Sequence, residues 1–521
     1  MAGLVNKISF YRRFQTIWEE NPLFVILSLA VVFRLVAVTF ARGWGMLDDH
    51  FIVIESAQSW VDGQDYNDWL PGSPRNNGPT GHNFFYPGLH FLLFSFFRLI
   101  HLEDPQIKMF VVRFLHAAWS LLTVYYGYKI AEKISGEKAA RLTGLLLAIL
   151  WFMPWLSVRN LVEVVCIPFL ILAIWQIVHN QDKRNQFSVY LLAGIFLGLA
   201  FNIRTQTAFF SIGLGLAILL QGKWKELAGL ISGSLIPVIL IQGTIDFFIW
   251  GRPFAEILAY FNDNILHATS YLTMPWYNYF LVILGILIPP VSLFLFSGYI
   301  KTWRKHLIIF LPVAIFFIFH SSFPNKQERF ILPVIPFIII LGTIGWNEIV
   351  STSHFWKNRN RLLRGCWIFF WSINIIGLLI VTVVYSKKSR VETMLYLSKY
   401  KEINNFLVAD AGNSPELFPC FYLQQWPQMY DELLPGETTD SLVIRASKAP
   451  VSKQPSFILF SAENDLAGEV MKARKSFPFI VYETTIEPGF MDRFIRWLNP
   501  VNKNRTIYIY RNTVFFPRRI E

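Results

Sequence analysis

Asp48, Asp49 and Glu55 place three carboxylates in the run Gly-Met-Leu-Asp-Asp-His-Phe-Ile-Val-Ile-Glu (Gly45 to Glu55), just after the first long apolar segment ends. A carboxylate so placed is predicted to sit at a membrane surface, where it can act as a general base towards a hydroxyl. Further along, cations and polar groups recur at the ends of later apolar segments. They are Arg159, Asn160 and Glu163, then Arg204, then His320, Lys326, Gln327, Glu328 and Arg329. Charge at such depth is costly unless it is paired or faces a polar cavity. A ring of cations and a carboxylate suit one chemical problem, the transfer of a sugar from a lipid phosphate to a hydroxyl. The acceptor needs a base, and the leaving phosphate needs fixed positive charge, which Arg supplies bidentately or a metal could supply instead. Two plainer readings stand beside this one: Asp48 and Asp49 as first-turn acids that favour a helix dipole, and each lone cation as a snorkelling side chain.

The elements that must position these residues are membrane spans. Hydrophobic residues make up 54% of the 521, aromatic residues 17% and charged residues only 16%, with a mean hydropathy of +0.40, which excludes an ordinary soluble enzyme. Apolar segments long enough to cross about 30 Å of hydrocarbon recur through the first three quarters of the chain. They are predicted at 22–41, 111–130, 142–158, 164–179, 188–203, 206–221, 227–245, 279–299, 306–320, 329–347 and 366–386. The expected fold class is therefore a polytopic α-helical membrane protein of about eleven spans.

Orientation follows from Lys and Arg in the short loops. With the N-terminus in the cytoplasm, Lys7, Arg12 and Arg13 lie inside, and each second loop is basic. These loops carry Lys133, Lys138 and Arg141; Lys183 and Arg184; Lys223 and Lys225; Lys301, Arg304 and Lys305; and Lys357, Arg359, Arg361 and Arg364. The formal charge of +12 is thus topological, and no nucleic-acid partner is implied. The other loops and the tail after residue 386 fall on the exoplasmic side, periplasmic or ER-luminal. Within the first exoplasmic loop, 42–110, the apolar stretch 86–100 is short for a span and reads as an interfacial helix. The loops 246–278 and 320–329 are the other exoplasmic connections.

A helix is expected over 47–61, with Leu47, Phe51, Ile54 and Val61 as an apolar stripe and Asp48, Glu55, Ser59 and Asp62 on another face, lying flat with its carboxylates towards water or a cavity. From about 390 the chain turns polar. Runs such as 456–461, 478–482 and 506–510 predict a small exoplasmic α/β domain, giving domains at 1–388 and 389–521. Cys166 and Cys366 lie in predicted spans and Cys420 in the tail, so no disulfide within the exoplasmic parts and no zinc spacing is expected. The first 41 residues read as a retained anchor, because Ala41-Arg42 lacks a small-residue cleavage pattern.

On these residues the chain resembles the family 22 glycosyltransferases of the GT-C membrane superfamily, which include mannosyltransferases of glycosylphosphatidylinositol and lipid-linked oligosaccharide assembly. Asp48-Asp49-His50-Phe51 with Glu55 is similar to the family's first-loop Asp-Glu-His-Phe-Gln-x-x-Glu. Arg159, Asn160 and Glu163 resemble its Arg then Asn-x-x-Glu, and Arg204-Thr205 resembles its Arg-Pro-Thr. Asp246 to Pro253, Asn262, Asn264 and Tyr271 with Met274-Pro275-Trp276-Tyr277 resemble its second-loop pattern. His320 and Pro324-Asn325-Lys326-Gln327-Glu328-Arg329-Phe330 resemble its His then His-Lys-Glu-x-Arg-Phe signature. The likeness covers residues 1 to about 350. It departs at Met46-Leu47, Asp49, Thr205, Asn325 and Gln327, where the family has His-Pro, Glu, Pro, His and Glu.

The resemblance implies a GT-C fold and inverting transfer of a hexose, commonly mannose, from a polyprenyl-phosphate donor to a hydroxyl of a glycan or glycolipid acceptor. Asp48 is then the general base, with Asp49 and Glu55 orienting the acceptor or substituting for it. Arg204, Lys326 and Arg329 would hold the donor phosphate, and Arg159, Glu163, Asp246 and His320 would line the substrate site. Paired acids such as Asp48 and Asp49 could also bind a hard divalent cation, although the superfamily includes metal-independent members. The alternatives are an oligosaccharide or protein O-glycosyltransferase of the same superfamily and a secondary transporter, which would show broken helices in matching halves near the midplane.

Overall fold

The structure is a computed structural model that describes residues 15–73, 78–270, 273–409, 417–427, 431–432, 438–461, 465–499 and 504–519. Lys7, Arg12, Arg13 and Tyr271 lie outside the described residues. Among those described, seven helices are long and apolar enough to cross a membrane: Pro22–Phe40, Pro105–Ser135, Val162–His179, Gln186–Ile203, Trp224–Trp250, Glu328–Thr352 and Asn360–Val381. The predicted span 279–299 is instead a pair of helices, Asn278–Ile286 and Val291–Lys301, bent by 119° across Pro289-Pro290. The segments expected at 206–221 and 306–320 form the shorter apolar helices Thr205–Leu220 and Leu307–Ser322. That expected at 142–158 is the 13-residue helix Glu137–Ile149, which ends before the short turn Met153–Leu156. The apolar stretch at 86–100 is one helix, Phe85–Leu99.

The described chain falls into two compact units. The first, Met1–Phe40, Trp69–Gly88 and Phe110–Val383, is the helical membrane body. In lipid the hydrophobic effect does not drive helices together, so close packing of small residues must do so. Val291–Lys301 and Ile335–Thr352 meet through Gly298, Gly342 and Gly345, where a Cβ on Gly345 would stand 2.0 Å from the Gly298 carbonyl oxygen. Gln186–Ile203 and Trp224–Pro237 approach in the same way at Gly194 and Gly233. A buried guanidinium ties three helices of this body together. Arg34, within Pro22–Phe40, donates from Nε to Ser120 Oγ at 2.8 Å and from Nη1 to the Ala148 carbonyl at 3.1 Å. Those bonds satisfy a cation that would otherwise be prohibitively placed.

The second unit gathers Ala41–Asp68 and Leu89–Met109 with Val384–Glu521. Its sheet contains β1 (Phe406–Ala409), β2 (Asp431–Glu432), β3 (Phe457–Phe460), β4 (Ile480–Ile486) and β5 (Ile507–Asn512) in the order β2-β1-β3-β5-β4. β1 runs parallel to β2 and β3, whereas β5 is antiparallel to both β3 and β4. β3, β4 and β5 fall on the three runs expected from sequence; β1 and β2 were not anticipated. Every residue of β1 and β3 is buried, as is usual for strands covered on both faces. Leu407, Ile458 and Phe460 pack with Leu442 and Val443 of the helix Thr439–Ser447, and with Val470 and Ala473 of Leu466–Ser476. Glu483 of β4 joins the sheet to the helix Lys388–Leu397. Burial alone would raise its carboxyl, but bonds from Tyr396, Tyr400 and Arg511 outweigh burial and hold it below the usual range.

Candidate active site

The candidate residues fall in both units, and each group is described within its own. In the second unit the segment Asp48–Glu55 is a π-helix that runs directly into the α-helix Ser56–Val61. The sequence predicts a single α-helix over 47–61, and the wider π turn changes the phase on which that prediction rested. Glu55 and Ser59, expected on the polar face, are fully buried, while Leu47 of the expected apolar stripe is exposed on the protein surface. Asp48 is half-buried.

Asp49 turns inward. Its two carboxylate oxygens accept from the backbone amides of Gly45 and Met46, at 3.0 and 3.1 Å. Next to it, His50 is sandwiched between Trp44 and Tyr422, with ring centroids 5.2 and 5.5 Å away. Its Nε2 lies 3.5 Å from Glu55 Oε1. Glu55 is the clearest departure from the sequence expectation. Expected on an open polar face, it is 0% exposed and receives the Phe421 amide at 3.2 Å. Burial raises its carboxyl above the ordinary range, against the opposing influence of His50 and the Phe421 and Cys420 amides.

The segment around 420–426 therefore completes the turn that carries Asp48. Tyr66 Oη lies 3.2 Å from Cys420 Sγ, and Trp426 Nε1 donates to Asp62 Oδ2 at 2.8 Å. Asn67 bridges the Phe51 carbonyl and Ser56 Oγ. None of these tail partners carries a sequence signal. Composition marks 420–426 only as apolar chain in a polar domain.

In the first unit three span ends converge. Glu163 is the second residue of Val162–His179, Arg204 directly follows Gln186–Ile203, and Arg329 is the second residue of Glu328–Thr352. Arg204 is extended, φ −142° and ψ 105°, where the helix breaks before the 3-10 turn Thr205–Thr207. Its Nη1 donates to Glu163 Oε1 at 2.5 Å, and Arg329 Nε stands 3.6 Å from the same oxygen. One buried carboxylate thus lies between two guanidiniums. Both guanidiniums lie over the ring of Phe330, at 5.1 and 5.4 Å, within cation–π range. Arg204 Nε and Nη2, buried, have no hydrogen-bond partner among the described residues. Buried donors of this kind call for an acceptor, and an anion would satisfy them.

The remaining predicted residues surround this cluster or brace it. His320 is buried, donates from Nδ1 towards the Phe316 carbonyl at 2.8 Å, and lies 6.5 Å from Phe330 between ring centroids. Lys326 is buried and donates to the Phe323 carbonyl; burial lowers its ammonium. Arg159 is buried over the Trp155 ring at 4.5 Å. Asp246, expected among the substrate-binding residues, is buried and held by its own unit. Its Oδ2 accepts the Glu256 amide at 3.0 Å, at the start of the helix Ala255–Leu266, and its Oδ1 accepts from Gln242 at 2.8 Å. Both partners are local, since the helix Trp224–Trp250 turns directly into the loop that starts the next one.

Further residues hold this cluster, of which Tyr260, Glu256 and Gly81 were not singled out from sequence. Gln327 Oε1 accepts from Arg329 Nε at 2.8 Å and fixes its fork. Tyr260 bonds Gln206, and burial raises its phenol. Glu256 accepts the amides of Gly81 and His82 at 2.6 and 3.0 Å, while Asn83 donates to the Asn202 carbonyl, two residues before Arg204, at 2.6 Å. These bonds hold loop 78–83 beside Arg204. Burial is the chief cause that pushes Glu256 up to about 7, helped by nearby Asp246 and opposed by the Gly81 amide. The second-loop strip is tied in by a bridge between Thr273 and Asn325 and by the Met274 amide donating to the Pro324 carbonyl. Gln327 and Phe330 stand inside the signature that was legible; Glu256 and Gly81, far apart in sequence, carried no signal. Among the described residues, no three His, Cys, Asp or Glu side chains are grouped as a metal site would need.

A multi-span helical body joined to a small α/β unit, with charged residues at the span ends, defines a polytopic membrane protein of the GT-C fold. The crystal structure of ArnT from Cupriavidus metallidurans bound to undecaprenyl phosphate has this fold, with a TM-score of 0.58 and 14% identity over 94% of this chain and 97% of that one. The Alg9-like mannosyltransferase family matches residues 25–414, and the chain belongs to that family. GPI alpha-1,2-mannosyltransferase 3 of Danio rerio is 23% identical over 316 residues, 60% of this chain and 57% of its own length. A probable Dol-P-Man:Man(7)GlcNAc(2)-PP-Dol alpha-1,6-mannosyltransferase of Schizosaccharomyces pombe is 28% identical over 205 residues, 38% of this chain and 37% of its own length. The chain thus spans less than two thirds of these relatives.

Proposed function

We propose that the protein is a membrane glycosyltransferase that moves mannose from a polyprenyl-phosphate donor to a hydroxyl of a glycan or glycolipid acceptor, with inversion, on the exoplasmic face. The observation that carries this reading is the pair of guanidiniums at Glu163, with two buried Arg204 donors lacking a partner among the described residues. Family membership supports a mannosyl group, and the name of the fission-yeast relative supports a dolichyl-phosphate type of donor.

The donor phosphodiester carries one negative charge, and its product, a phosphate monoester, carries a second. The bond from the anomeric carbon to the phosphate oxygen breaks, and its electron pair leaves with that oxygen. Arg204 and Arg329, fixed by Glu163, Gln327 and Phe330, neutralise the charge as it develops, which lowers the barrier more than it tightens the ground state. The acceptor oxygen attacks the opposite face of the sugar and gives its proton to Asp48. In this reading Asp49 holds the turn rather than taking the proton, because its oxygens are committed to backbone amides.

The test is transfer of radiolabelled mannose from polyprenyl-phosphate mannose to extracted lipids and glycans, in membranes containing either the wild type or Asp48→Asn. Label incorporated by the wild type and lost at least a hundredfold in the variant supports the assignment. Equal incorporation would remove Asp48 from the role of base. Label found on protein rather than glycan would favour the O-glycosyltransferase of the same fold.

A further inference from the structure

The helix Phe490–Leu498 of the second unit is amphipathic in the wrong sense for a soluble domain. Its acidic residue points inward. Asp492, 2% exposed, accepts the amides of Lys387 and Lys388, both at 3.1 Å, and the Asn504 side chain at 3.1 Å. Its apolar residues point away from the rest of the chain: Phe490 is 80% exposed, Trp497 76%, Leu498 61% and Phe494 42%. At 100° per residue these four share one arc, with Arg493 on its flank and Arg496 on the far side, next to Asp492. A face of that size, left open, would be an aggregation liability unless something apolar covers it.

The chain itself indicates what does. Lys387 and Lys388, to which Asp492 is bonded, stand only six and seven residues past Val381, the end of the apolar helix Asn360–Val381. Six extended residues reach about 20 Å, so the covalent chain keeps this helix within reach of the membrane surface that Asn360–Val381 leaves. Trp and Phe on one face with Arg at its edge is the composition of a helix lying at the headgroup boundary. Arg493 pairs with Glu487, and the two line a cavity of about 410 Å³ beside the helix together with Arg496, Trp497, Asn504 and Thr506.

We propose that Phe490–Leu498 is an interfacial anchor. Its apolar face enters the boundary between headgroups and acyl chains of the bilayer that holds the spans, with Arg493 at the edge of that face, at the level of the lipid phosphates. The inference rests on the multi-span character of the chain and not on the reaction it catalyses.

The experiment uses the full chain in nanodiscs of phosphatidylcholine and phosphatidylglycerol, with Cys366→Ala to remove the partly exposed thiol, and spin labels introduced singly by Phe494→Cys, Trp497→Cys, Arg493→Cys and, as an exposed control away from this helix, Lys448→Cys. Relaxation by oxygen relative to a water-soluble nickel chelate is expected to be several-fold higher at 494 and 497 than at 493 and 448. Chelate accessibility at 494 and 497 equal to that at 448 would overturn the proposal by showing water over this face. Protection from both reagents would overturn it as well, since that marks a protein surface as the cover. Thermal unfolding of each labelled variant, unchanged from the parent, keeps the readout on the native fold.

Discussion

Replacing Arg204 by Lys separates two roles that Arg204→Ala would merge. The guanidinium uses Nη1 on Glu163 and leaves Nε and Nη2 buried with no partner among the described residues. Lysine keeps the charge next to Glu163 but loses the fork that presents those two donors. Hydrogen bonds to charged groups contribute about 1.5–3 kcal/mol each. At the lower figure, two lost bonds to the phosphate amount to about 3 kcal/mol, or a fall of about a hundredfold in kcat/KM for the lipid-linked donor. Arg204→Ala instead strips a fully buried carboxylate of its nearest cation, at a cost of about 3–5 kcal/mol in stability. The assay is initial rate against polyprenyl-phosphate mannose in proteoliposomes, paired with thermal unfolding of the same preparations. Arg204→Lys should unfold close to the wild type and transfer about a hundredfold less efficiently, whereas Arg204→Ala should lose both properties. A lysine variant with kcat/KM within twofold of wild type would refute the reasoning, because the donors would then not face the phosphate.

Asp49→Ala should destabilise the protein by about 2 kcal/mol or more, since the amides of Gly45 and Met46 lose their acceptor; unfolding midpoints equal to those of Asp48→Ala would show that Asp49 does not hold the turn. For Glu256, with its carboxyl raised from 4.5 to about 7, the folded chain keeps a proton that the unfolded chain has released. Its stabilising effect is therefore complete below about pH 4.5 and is lost as pH rises through 7, in total about 3 kcal/mol. Glu256→Gln retains an acceptor for Gly81 and His82 without titrating, so its unfolding midpoint should change less than that of the wild type between pH 5 and pH 8; identical profiles would show that Glu256 does not titrate in this range. Gly345→Ala, which sets a Cβ 2.0 Å from the Gly298 carbonyl oxygen, should force apart two helices of the body and lower the yield of folded protein, as read by size-exclusion profiles in detergent; a normal profile would mean that the helices can shift at little cost.

Long-range hydrophobic and charge patterning made the membrane body legible without coordinates, because a helix must be apolar over about twenty residues to cross hydrocarbon whatever packs beside it. The same economy exposed Arg204 and Arg329, since charge at a span end stands out against an apolar background, and the signature around Lys326 carried Gln327 and Phe330 along with it. The sequence also marked Asp48 through its neighbours.

What lay beyond it were contacts between residues far apart in the chain. Periodicity assumes one helical repeat, so it could not foresee the π turn at Asp48–Glu55, which turns Glu55 and Ser59 inward and leaves Asp48 half-buried. Pairings such as Glu55 with Phe421, Glu256 with Gly81 and Asn83 with Asn202 depend on three-dimensional closure, and no local pattern encodes them. Asp246 shows the limit from the other side. A buried acid reads alike in sequence whatever it touches, and only the fold shows that Asp246 accepts the Glu256 amide at the start of a helix. Composition is a property of segments and so survives without a fold, whereas the partner of a side chain is a property of the fold alone.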